Sequence, residues 1–190
     1  MRATPSVGLV LILAANAVFA AAPASTRLEA LARSADAVVA QSREIGSLRA
    51  PDAVATLTVL AVSGQAGAAP PAHGLRVDLT NNAGSDRIYL DANQLDVLRS
   101  ELDLMVRFKD VSLAESRKSL APGGTAVQGT ESCWMPNPEE RILCPSAVIG
   151  SDWSGIALGA FGGPSFLFRN VEPSELLALV DRAIAELDAH

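Results

Sequence analysis

Sliding the chain along itself by 81 residues brings two stretches of like pattern into register without a gap, and this limits the possible folds more than any other feature. Gly74 meets Gly155, Leu75 meets Ile156 and Val77 meets Leu158. Further on, Leu90 meets Val171, Asp91 meets Glu172 and Gln94 meets Glu175, after which Leu95, Leu98 and Val106 meet Leu176, Leu179 and Leu187. Each copy reads as a hairpin, an acidic helix cap and an amphipathic helix. Turns and caps draw on few residue types, so unrelated units of this kind share part of the pattern. The architecture holds with or without common ancestry: pseudo-repeats at 74–107 and 155–188 predict an α+β fold. In it an antiparallel sheet is built from two hairpin-plus-helix units with both helices on one face.

Local chemistry supports each element. Leu75, Val77 and Leu79 alternate with Arg76, Asp78 and Thr80, as in a strand with one buried face, and the alternation resumes at Ile88 and Leu90 after the turn Asn81–Asp86. Asp91 and Gln94 stand at capping-box spacing, followed by Leu95, Leu98, Leu102 and Met105 on one helix face. In the second unit Gly155–Phe161 and Ser165–Arg169 turn at Gly162-Gly163-Pro164. Pro173 then opens a helix where its missing amide costs nothing, and Leu176, Leu179, Val180, Ala183, Ile184 and Leu187 form the buried stripe. Upstream, Val54–Val62 is apolar on both faces and reads as an interior strand. Thr26 and Glu29 repeat the capping-box spacing, and Leu28, Leu31, Ala35, Val38 and Val39 recur at helical intervals. This predicts a helix to about Ser42, so 21–50 is an N-terminal helical segment ahead of a single domain at 51–190. Residues 109–125 read as an irregular connection, and Ala126–Trp134 and Arg141–Ile149 as strands joined through Met135–Glu140. Strands followed by a long helix, twice over, resemble the duplicated ββββα units of Whirly and PC4-like proteins at the level of architecture. Those proteins bind single-stranded nucleic acid.

Charge and targeting signals argue against that use here. Arg2, the apolar run Val7–Phe19 and small residues through Ala20 read as a cleavable secretory signal peptide at 1–20. The run is shorter than the roughly 20 apolar residues that span a bilayer. No cysteine stands near the cleavage point for lipid attachment, and no transmembrane segment is expected after cleavage. Removing Arg2 with the signal takes the formal charge from −6 to −7. An acidic domain without a basic cluster repels phosphate backbones, so nucleic acid is not an expected partner. The expected location is the periplasm or the medium.

Only two cysteines occur, Cys133 and Cys144, and they are equidistant from the Pro138–Glu139 junction. In an ideal hairpin centred there they face one another, close enough for a disulfide in an oxidising compartment. Trp134 and Met135 sit at the tip of that hairpin and Trp153 in a Gly/Ser-rich turn; all three are candidate binding residues, with packing as the alternative. Catalytic signatures are missing: Ser154 lacks the nucleophile elbow, and His73 lies in a proline-rich loop. No phosphate loop, dinucleotide fingerprint or calcium loop appears, so no cofactor or metal is expected. The reading that results is an exported domain that binds a periplasmic or envelope protein or component without catalysis. The alternative is a small hydrolase with a carboxylate-based site. N-terminal sequencing of the exported protein is expected to begin at Ala21 or within two residues. A non-reduced digest is expected to link the Cys133 and Cys144 peptides; two titratable thiols would refute the bridge.

Overall fold

The structure is a computed structural model that describes residues 26–64, 70–129, 142–160 and 162–189, without the side chains of 108–115, 119 and 128–129. A short helix α1 (Arg27–Ala32) comes first. Strands β1 (Ala37–Ala50), β2 (Ala53–Gly64), β3 (Ala72–Asn81) and β4 (Gly84–Asp91) follow, then helix α2 (Ala92–Ser119). Strands β5 (Thr125–Gly129), β6 (Ser146–Gly150), β7 (Ser154–Gly159) and β8 (Ser165–Arg169) lead to helix α3 (Pro173–Asp188). The strands form two four-stranded antiparallel sheets, each in sequence order, in place of the single sheet expected. The mixed α+β class stands.

Two further expectations change. The N-terminal helix ends at Ala32, and Ala37–Ala50 is the edge strand of the first sheet, paired along its length with β2. Helical spacing misled here because Leu28 and Leu31 belong to α1 while Val38 and Val39 stand exposed on β1. The β-branched pair Val38–Val39 and Ile45 suit a strand better than a helix. Helix α2 also runs on to Ser119, through the stretch read as an irregular connection. No proline or glycine interrupts 92–119, so nothing in the backbone stops the helix once started.

One core serves both sheets. Ala55, Leu57 and Val59 of β2, Leu75, Val77 and Leu79 of β3, and Ile88 and Leu90 of β4 point to the same interior as Ile156, Leu158, Phe166 and Phe168 of the second sheet. Leu95, Leu98 and Leu102 of α2 and Leu176, Leu179, Val180 and Ala183 of α3 complete it. Helix α3 lies against β1, β2 and β3 and beside α2, so the last helix of the chain covers the inner face of the first sheet. The approach is close at Gly46, where β1 bulges and φ is +156°: a Cβ there would come within 2.9 Å of Leu179 Cδ2. Leu98 and Leu179 are both buried in this core.

The caps follow the sequence reading. Thr26 Oγ1 accepts from the Glu29 amide at 3.1 Å. Asp91 and Gln94 form a capping box on α2, with the Asp91 amide donating to Gln94 Oε1 at 2.9 Å. Glu172 and Glu175 do the same on α3, the Glu172 amide donating to Glu175 Oε1 at 2.9 Å. Asp91 does more than sequence implied, because its Oδ2 and Oδ1 also accept from the first two amides of α1, Arg27 at 2.9 Å and Leu28 at 2.8 Å. A single carboxylate thus serves two helix starts. Each cap is worth about 0.5–2 kcal/mol, so Asp91→Ala is expected to destabilise by about 1–4 kcal/mol in chemical denaturation. Leu179→Ala is expected to cost about 2–5 kcal/mol by the same measurement, and a change below that range would contradict its place in the shared core.

Candidate binding face on the first sheet

Alternation along the strands divides the first sheet into an inner face given to the core and an outer face. The register sets the outer rows: Glu44, Thr58, Arg76 and Tyr89 lie side by side across β1 to β4, and Ser47, Thr56, Asp78 and Arg87 form the next row. Helix α1 covers one end of this face. Leu28 packs there with Leu60, Val62, Ala72 and Tyr89 in a second, smaller apolar cluster, joined by Leu31, Ala32 and Ala37. Gly74 permits the contact, since a Cβ on it would collide with the Leu90 carbonyl and lie 3.1 Å from Leu28 Cδ2.

Beyond the end of α1 the outer face turns polar. Asp78 binds two arginines at once, Arg76 Nε to Oδ2 at 2.7 Å and Arg87 Nε to Oδ1 at 2.5 Å. Arg76 and Asp78 are two apart on one strand and therefore share a face, while Arg87 stands directly opposite Asp78 on β4. The hydrogen bond that Arg87 donates to Asp78, ahead of the burial that opposes it, holds the Arg87 guanidinium above its usual pKa, with Tyr89 contributing further. At the C-terminal end of α1, Arg33 Nη2 meets Glu29 Oε1 at 2.6 Å. Arg33, Asp78, Leu79, Thr80, Ser85, Asp86 and Arg87 line an open cavity of about 530 Å³ between the helix end and the β3–β4 ladder.

Sequence reading took Arg76 and Asp78 as a solvated strand face and did not single out Arg87. The signal was present in the turn: a hairpin closing at Asn82-Ala83 pairs Asp78 with Arg87. Arg33 could not be found this way, because only the packing of α1 brings it to that hairpin.

Of the residues singled out beforehand, Cys133, Trp134 and Met135 lie outside the described residues, as does the signal segment. Cys144 lies beside β7, its amide donating to the Gly159 carbonyl at 2.7 Å. Trp153 is half-buried, with the Arg169 guanidinium 4.8 Å from its ring centroid and its indole against Gly150, where a Cβ would collide with it. Both contacts hold the ring in place, which fits packing better than capture of a ligand.

Two other depressions are described. A furrow between α2 and α3 of about 470 Å³ is lined by Leu104, Leu177 and the Arg99–Asp181 and Arg107–Asp103 pairs. The other, of about 450 Å³, lies where the β1–β2 and β3–β4 turns meet the outer side of β8. Among the described residues no group of three histidine, cysteine or acidic side chains is placed to hold a metal ion, and no helix is long and apolar enough to cross a membrane. Comparison of the chain with protein-family models, curated proteins and solved structures finds no match.

Proposed function

We propose that this chain is an exported, non-catalytic binding domain, acting in the periplasm or outside the cell, whose recognition surface is the outer face of its first sheet. The observation that carries the reading is the arginine pair fixed on one carboxylate beside the end of α1. The fold does not require it, since the inner face of the same strands supplies the core and α1 already covers the apolar half of the outer face. Side chains held in fixed positions on a solvent-facing sheet need little ordering when a partner arrives, and that favours binding. The partner on this reading is an envelope protein or component. Export is supported by the signal-like first 20 residues, and a Cys133–Cys144 bridge by their symmetric placement about Pro138–Glu139. The 81-residue offset supports reading 74–107 and 155–188 as hairpin-plus-helix pseudo-repeats.

A hydrolase built on distant carboxylates finds less support. The carboxylates in the described ion pairs, Glu29, Asp78, Asp103, Asp181 and Glu186, each face an arginine. An acid–base pair of the glycosidase kind instead needs two carboxyl groups facing one substrate bond.

The test is a pull-down from envelope extract with the mature chain, run beside Arg76→Ala/Arg87→Ala and, as a control on the helix layer, Leu104→Ala. The double variant is expected to lose a partner that the wild type and Leu104→Ala both retain. Equal capture by all three would remove the sheet face from consideration.

A further inference from the structure

We propose that the cavity at the end of α1 is an oxyanion site: it takes a carboxylate or phosphate group presented by the ligand, through the guanidinium edges of Arg33 and Arg87 with Arg76 behind them. The proposal deepens the binding reading above and rests on it for the choice of face.

The first argument is the order of the charges in depth. Glu29 and Asp78 lie beneath, their side chains 3% and 25% exposed, while the Arg33 and Arg87 side chains above them are 59% and 55% exposed. A group arriving from solvent therefore meets guanidinium before it meets carboxylate.

The second argument is which donors are already used. Arg76 and Arg87 both turn Nε to Asp78. A guanidinium has five N–H donors in a rigid plane, so anchoring at Nε fixes the plane and leaves Nη donors beyond the Asp78 contact, although Arg87 also interacts with Tyr89. Such an edge matches the two oxygens of a carboxylate or phosphate in a bidentate pair. Thr80 and Ser85 line the same cavity with hydroxyl donors.

The third argument concerns the acids. Asp78 already accepts from two arginines, and Asp86 Oδ1 accepts from the Arg87 amide at 2.8 Å. The local charges of Arg33, Arg76 and Arg87 balance those of Glu29, Asp78 and Asp86. Recognition there depends on the geometry of the fork, with little long-range attraction, in a protein whose net charge is negative. Lysine, a point charge without the fork, would not replace Arg87.

The experiment titrates the mature chain with inorganic phosphate and, separately, with succinate, each against sodium chloride at matched ionic strength, and follows backbone amide shifts by NMR. Saturable shifts at Arg33, Thr80, Ser85 and Arg87 are expected with at least one probe, and the preferred probe tells phosphate from carboxylate. Arg33→Gln, whose side chain is largely exposed and whose loss leaves the Asp78 pair intact, is expected to weaken binding about tenfold or more, as is Arg87→Lys. Arg99→Gln, on the helix layer, is expected to bind as the wild type does. No saturable shift with either probe, the same shifts in chloride alone, or unchanged affinity in both Arg33→Gln and Arg87→Lys would overturn the site. Should those failures come with loss of partner capture in the Arg76/Arg87 double variant, the oxyanion proposal falls and the binding face stands.

Discussion

The path of helix α3 across the inner face of the first sheet is the constraint on which the rest of the molecule depends. An antiparallel sheet with one apolar face cannot leave that face in water, and β2 and β3 supply a dense row of Leu, Val and Ala there. The cover comes from the far end of the chain, so neither half completes its core without the other. Gly46 is the local condition for this contact. A side chain on it would meet Leu179 and Arg182, and its backbone angle at the bulge suits glycine. The ion pair between Arg43 and Glu186, at 2.5 Å, joins β1 to α3 across the same contact.

Asp91 has a comparable role at the other end of the first sheet. It ends β4, caps α2 and receives the first amides of α1. A six-residue helix has little stability alone, because nucleation costs more than its few hydrogen bonds return. The Asp91 carboxylate and the buried Leu28 are what anchor it. The consequence reaches the candidate binding face, since the direction of α1 from Asp91 carries Arg33 toward Ser85 and Arg87. The cavity is thus an effect of capping at one end of a helix and ion pairing at the other.

Local order and tertiary order differ in how far the sequence exposes them. The strands around Asn81–Asp86 and Gly162–Pro164 were readable because alternation and turn residues act within about ten residues. The capping boxes at Asp91 and Glu172 were readable for the same reason. The β1 strand was not, because Leu28, Leu31, Val38 and Val39 have helical spacing although they belong to two different elements. The length of α2 was hidden by its mixed charges, which carry no stop signal but weaken the apolar stripe. Half of the candidate site was legible: Asp78 and Arg87 follow from the hairpin register, while Arg33 follows from nothing local.

By itself the sequence determined the α+β class, the helix starts, most of the strands and the apolar faces that had to be buried. These depend on backbone sterics, side-chain period and hydrogen-bonding groups a few residues apart. Only the tertiary structure decided that the described strands divide into two sheets, that the last helix covers the first sheet, and that Arg33 joins the Arg76–Asp78–Arg87 group. An apolar face specifies that it must be covered but does not specify by which element, because burial is non-directional. The choice among partners is made by how all the faces of the chain fit together at once, and no window of sequence contains that information.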